Sequence, residues 1–294
     1  MKLKNPSANG SDASENEEFE AHGVMAAENV SEYWIPASAA PGIRQLNWQR
    51  SLSEAVARFG PFEWVTYAYL AWLESIVIVF HQNVSHASRY FFLHLGIAFG
   101  IAALVTHAAR SSSPVIQFAR HWYPLPLYIF FFEVLQSLVH VIFSGWFDRW
   151  LIQFDFNLAG VHPSVWLAQF ASPVLNDAMQ FAYMTYFLFL VILPAILYFE
   201  QDFYAFWTVM TATAIAHYSV YVIAVLIPVE SPYFSLASLH TAPLAGGPFT
   251  ATIELIEHYG RVHGAAFPSA HVAGSMVAIL AARRYKPWLF SICL

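Results

Sequence analysis

Pro268-Ser269-Ala270-His271 is the stretch of this 294-residue chain whose residue types best suit chemistry. It stands where a Gly- and Pro-containing segment turns into an apolar helical pattern. The first turn of a helix has free backbone N–H groups and the positive end of the helix dipole, which together attract phosphate. Pro268 sets the entry of the chain, and Ser269 either caps the helix or donates to a phosphate oxygen. Ala270 is small enough to let an oxyanion approach the backbone. His271 can hand a proton to a leaving oxygen, because imidazole exchanges protons near neutrality. The same residues serve equally well as an ordinary helix start, with a serine cap and a packed histidine.

The elements that must position these residues belong to a membrane protein. The chain is 58% hydrophobic and 11% charged, whereas water-soluble domains carry roughly 25% charged residues. Aromatic residues make up 17%, in keeping with belts at the two membrane interfaces. The single cysteine, Cys293, excludes an internal disulfide framework and a multi-cysteine metal site. No basic stripe exists to neutralise a nucleic-acid backbone, so nucleic acid is not expected as a partner.

Residues 1–45 form an acidic, Ser/Asn/Glu/Ala-rich tail, expected to be disordered and cytoplasmic. Crossing the hydrocarbon takes about 20 largely apolar residues. Six stretches qualify: Phe62 to Phe80, Tyr90 to Ala109, Leu125 to Ser144, Ala178 to Phe199, Ala205 to Ile227 and Gly264 to Ala282. The expected fold is therefore all-α, a polytopic helical bundle. Residues 46–119 would supply two accessory helices and 120–294 the main membrane domain. After Arg283, Arg284 and Lys286 the chain turns apolar again from Pro287 to Leu294. That reads as the start of a seventh span, and the chain as truncated at its C-terminus.

Flanking cations set the orientation. Arg44, Arg50, Arg58, Arg110, Arg120, Arg283, Arg284 and Lys286 lie on one side, and Arg89, Arg149 and Arg261 on the other. This asymmetry puts the N-terminus in the cytoplasm and His271 at the opposite, extracytoplasmic face. Segment 145–177 would share that face. Within it Trp146, Phe147, Trp150, Leu151 and Phe154 recur at helical spacing, with Asp148, Arg149 and Asp155 off the stripe, as in a helix lying in the interface. Segment 228–263, rich in Pro and Gly and ending in a possible short helix from Thr250 to Tyr259, would lie beside it.

Other polar residues fall inside the spans. Glu74 and Glu133 are costly there unless paired or protonated. Glu133, Gln136 and His140 share a helix face, which suits inter-helix hydrogen bonding and also a proton path. His94, His107 and His217 read as structural. His240, His258, His263 and His271 gather near one face without the spacing of a zinc site.

From Ile227 to Val277 the chain resembles the type 2 phosphatidic acid phosphatase superfamily, in the branch that includes inositol phosphorylceramide synthase. The resemblance is carried by Ile227-Pro228-Val229-Glu230-Ser231-Pro232-Tyr233, Gly246-Gly247-Pro248-Phe249 and His263-Gly264-Ala265-Ala266-Phe267-Pro268-Ser269-Ala270-His271. An upstream match runs through Asp148, Leu151, Asp155, Gly160-Val161-His162-Pro163 and Trp166-Leu167 to Tyr183 and Tyr186. The resemblance implies an integral membrane lipid-phosphate phosphatase or an inositolphosphotransferase-like enzyme that uses no metal and no cofactor. It implies that Ser269 and the backbone at Ala270 hold phosphate and that His271 acts as general acid. Arg261 is a candidate counter-charge. The family's nucleophilic histidine and its aspartate are absent downstream of His271, as is the Lys…Arg-Pro element upstream. Membrane lipids and a phosphate-bearing headgroup are the implied partners. A catalytically inactive, lipid-binding remnant of the family is the competing expectation, and a small transporter is a third.

Overall fold

The computed structural model describes residues 56–240, 245–260 and 262–293. The predicted tail, Arg44, Arg50 and Arg261 lie outside them. Twelve α-helices run through the described residues: α1 (Pro61–Val79), α2 (Ala87–Ala108), α3 (Pro114–Trp122), α4 (Pro124–Leu138), α5 (Asp148–Ala159), α6 (Pro163–Ala168), α7 (Pro173–Phe199), α8 (Phe203–Leu226), α9 (Pro232–Ser235), α10 (Pro248–Gly260), α11 (Ala270–Tyr285) and α12 (Pro287–Cys293). Among the described residues no strand forms, and one isolated parallel bridge joins Val229 to Ala265.

The helix starts follow local chemistry. Proline stands in the first turn of α1, α3, α4, α6 and α7, where its missing N–H has no intrahelical partner to lose. Ser172 and Asp202 cap α7 and α8, accepting from the amides of Leu175 and Ala205. Pro194 lies inside α7, which nevertheless runs on to Phe199.

Among the described residues four helices are long and apolar enough to cross a membrane: α1, α2, α7 and α8, of 19, 22, 27 and 24 residues. At about 1.5 Å per residue, even the shortest approaches the roughly 30 Å of hydrocarbon. The other two predicted spans fall on shorter helices. α4 has 15 residues and α11 has 16, because Pro124 and the turn at His140 bound the first, and Ser269 and Lys286 bound the second.

α8 is the central helix. It packs against α1, α4, α7 and α11, and Ala205, Phe206, Met210, Ala214, Tyr221, Ala224 and Val225 along it are buried. A helix surrounded by neighbours must be apolar on all sides. The core around it contains Phe62, Leu73, Phe131, Leu135 and Leu138 from α1 and α4, and Leu193 and Leu197 from α7. Tyr69 and Tyr218 stack at 4.5 Å across α1 and α8.

Polar contacts define two ends of this bundle. At one, Glu63 is fully buried and accepts from the Gly60 amide at 2.7 Å, the Tyr123 hydroxyl and the Arg120 guanidinium at 3.0 Å. Arg120 also lies 4.3 Å from the Trp207 ring. Lys286 pairs with Glu200 at this end. Arg120, read from sequence as a flanking charge, is thus mostly enclosed, its side chain 14% exposed. At the other end, Asn83 donates to the Val141 carbonyl at 2.9 Å, and Phe147 N–H to the Pro228 carbonyl at 2.9 Å. Ser269 and His271 are at this second end.

Candidate functional site

The segment before α11 is tied to two neighbouring loops. Val229 N–H donates to the Gly264 carbonyl at 3.3 Å, and Ala266 N–H donates to the Val229 carbonyl at 3.2 Å. Gly264 has φ of 101° and no room for a side chain, since a Cβ there would lie 2.8 Å from the Trp146 ring. Asp148 is buried and accepts from the amides of Glu230 at 2.7 Å and Ser231 at 3.2 Å. Expected on the polar side of an interfacial helix, it instead faces the protein, because α5 starts where two loop amides need an acceptor. Glu230 in turn pairs with His263 at 2.7 Å. Trp150, Phe154 and Leu158 of α5, with Trp166 and Leu167 of α6, remain exposed.

Ser269 caps α11, its Oγ accepting from the Val272 amide at 3.3 Å, while the Ser269 carbonyl accepts from Ala273. The amides of Ala270 and His271 belong to the first turn and have no intrahelical acceptor. Ser269 is exposed, while Ala270 and His271 are half-buried. The His271 ring stacks on Tyr183 at 4.3 Å, lies 4.3 Å from Tyr186, and meets Phe187 edge-on at 5.7 Å. Its Nε2 is buried and has no hydrogen-bond partner among the described residues.

Beneath His271 lies a polar relay that sequence reading did not assemble. His217 Nδ1 is 2.8 Å from the Thr213 carbonyl, and Nε2 is 2.7 Å from the Tyr186 hydroxyl. A carbonyl can only accept, so Nδ1 carries the proton and Nε2 accepts from Tyr186. His217 and Tyr186 are both buried. They sit 31 positions apart on different helices, with no shared motif to flag them.

A second anchor lies along α7. Asp177 accepts from the amides of Gly247 and Thr250 at 2.9 Å each and from the Thr250 hydroxyl at 3.2 Å. It thereby seats the Gly246-Gly247-Pro248-Phe249 turn and the start of α10, beside a shallow apolar cleft lined by Val174, Ala178, Phe181 and Phe249. The expected short helix from Thr250 to Tyr259 is observed as α10.

Of the predicted site residues, the structure groups Ser269, Ala270 and His271 and adds Tyr183, Tyr186 and His217 to their surroundings. Arg261 lies outside the described residues. Glu74, expected to need a partner, finds His94 at 2.8 Å. Glu133 and Gln136 are exposed on α4, whereas His140, predicted to share their helix face, lies in the turn beyond the helix end, also exposed, and bonds the nearby Phe143 carbonyl. No cluster of three or more metal-ligating side chains occurs among the described residues. A search of family models found no match to the chain, and no curated protein or solved structure matches it.

Proposed function

We propose that this chain is an integral membrane lipid-phosphate phosphatase or phosphotransferase of the type 2 phosphatidic acid phosphatase kind. In this reading α4 and α11 complete a six-span bundle, α5 lies in the interface, and the N-terminus is cytoplasmic. The observation that carries it is the start of α11. There a capping serine, first-turn amides with no intrahelical acceptor and a histidine held by three aromatic rings follow one another at the end of the bundle.

Phosphate oxygens accept from the Ala270 and His271 amides and from Ser269, in a place where the helix dipole adds attraction. Arg261 is the proposed counter-charge. The aromatic contacts hold the His271 ring, whose role is to protonate the leaving oxygen, while the amides and Ser269 stabilise the equatorial oxygens. Transfer of the phosphoryl group through a phosphohistidine needs a second histidine, and none follows His271 in the 294 residues. The residues present therefore supply headgroup binding and leaving-group protonation. The exposed apolar faces of α5 and α6 support delivery of the substrate from the bilayer.

The alternative is a catalytically inactive member that only holds lipid phosphate. Turnover separates the two, and binding tests what they share. With the chain in nanodiscs and a short-chain phosphatidic acid as probe, calorimetry should show metal-independent binding. Ser269→Ala and His271→Ala should each weaken it by about tenfold or more, the scale of a hydrogen bond to a charged group. Protease protection should show unchanged insertion. Equal binding by His271→Ala would remove the basis of the assignment.

A further inference from the structure

We propose that Glu74 and His94 form a proton-binding site inside the membrane, a pair that gains and loses one proton as a unit. Glu74 is on α1 and His94 on α2, two of the four described helices long and apolar enough to cross a membrane. The His94 side chain is fully buried and that of Glu74 is 21% exposed. Nδ1 of His94 lies 2.8 Å from Oε1 of Glu74. The two remaining polar atoms, Glu74 Oε2 and His94 Nε2, are buried and have no partner among the described residues. Such atoms in an apolar interior are costly and call for a role.

Their surroundings hold the pair without neutralising it. Phe130 of α4 meets the His94 ring edge-on at 6.5 Å. Tyr90, one helical turn before His94, lies 6.2 Å from that ring, and its hydroxyl is bonded to Ser137 of α4. Of the other charged residues on α1 to α4, Glu63 and Arg120 pair with each other, and Arg89 and Glu133 are exposed. No ion pair to either Glu74 or His94 other than their own occurs among the described residues.

The proton balance follows from the geometry. In the state with fewer protons, Nδ1–H donates to the Glu74 carboxylate and Nε2 is bare, leaving the pair with one negative charge. A proton from the aqueous phase adds at Nε2 and makes the pair neutral overall. The Nδ1 proton then sits on either side of the Nδ1···Oε1 hydrogen bond, as imidazolium–carboxylate or as imidazole–carboxylic acid. In both protonation states that hydrogen bond persists, so α1 and α2 stay joined while the charge changes. The unpartnered Nε2 is the atom that receives the proton. Two groups this strongly coupled titrate with macroscopic behaviour that belongs to the pair.

The test is a pH titration of the full chain in nanodiscs, followed by ¹⁵N NMR of the histidine rings and infrared bands of ¹³C-labelled glutamate. Glu74→Gln and His94→Gln identify the signals. The Glu74 and His94 signals should change together at one common midpoint between about pH 4 and pH 9. Replacing either residue should abolish that transition in its partner. Two separate midpoints, or no transition across the range, would overturn the proposal. The wild-type titration decides this even where a variant does not fold. None of these residues touches Ser269 or His271, so the outcome is independent of lipid-phosphate binding.

Discussion

The Tyr186 hydroxyl and the His217 imidazole are joined at 2.7 Å between α7 and α8, and Gly274 of α11 lies directly against both. A Cβ at Gly274 would stand 2.8 Å from Tyr186 Cε2 and 3.0 Å from His217 Cε1. Three helices meet there because one of them has no side chain at that position, and His271 lies one turn earlier on the same helix.

Gly274→Val should therefore push α11 away from α7 and α8. Overpacking of this type costs about 1–3 kcal/mol, and the midpoint of thermal unfolding in detergent should fall accordingly. The near-ultraviolet signal of Tyr183 and Tyr186 should change as well. An unchanged midpoint would mean that α11 is not seated as described.

The buried pair of Glu63 and Arg120 joins α1 to α3, with side chains only 1% and 14% exposed. Arg120→Met leaves Glu63 buried beside Tyr123 with its charge uncompensated. Breaking such a pair costs about 3–5 kcal/mol, whereas replacing both partners with apolar residues is often neutral. Thermal unfolding of Arg120→Met, Glu63→Leu and the double variant should show the double as more stable than either single.

Asp148→Ala should free the amides of Glu230 and Ser231, which now donate to its carboxylate at 2.7 Å and 3.2 Å. Hydrogen exchange at those two amides should accelerate, and the lost charge-assisted bonds are worth about 1.5–3 kcal/mol each. Asp148→Asn keeps an acceptor oxygen and should show a smaller acceleration. Because Val229 bonds to Gly264 and Ala266, the loosening should spread to the segment leading into Ser269.

His121 on α3 is held below the ordinary histidine value by burial, opposed by its hydrogen bond to the Gln117 carbonyl and reinforced by the neighbouring Arg120 charge. A histidine depressed in the folded state binds more protons when unfolded, so stability rises with pH in that window. Its contribution is complete above the unfolded value of 6.5 and is lost as the pH falls towards the lower folded value. His121→Phe should flatten the acid side of a plot of unfolding midpoint against pH.

Composition and hydropathy by themselves point to a helical, multi-pass membrane protein, and roughly to where α1, α2, α7 and α8, the four helices long and apolar enough to cross a membrane among the described residues, lie. Transfer into hydrocarbon is a local property summed over about 20 residues, and it is legible without knowing any neighbour. The serine cap at Ser269 is equally local, since a capping side chain reaches only the next turn. The partners of polar groups are not local. Arg120 read as a flanking charge and proved to be Glu63's partner across 57 positions. Asp148 read as an interfacial residue and proved to hold a loop more than 80 positions away. Glu74 could be seen to need a partner, but its choice of His94 depended on how α1 turns against α2. The enclosure of His271 by Tyr183, Tyr186 and Phe187, with His217 beneath, depends on the close approach of α11 that Gly274 permits. Such relationships are set by helix packing, because a burial cost falls on whichever group the neighbouring helix happens to cover.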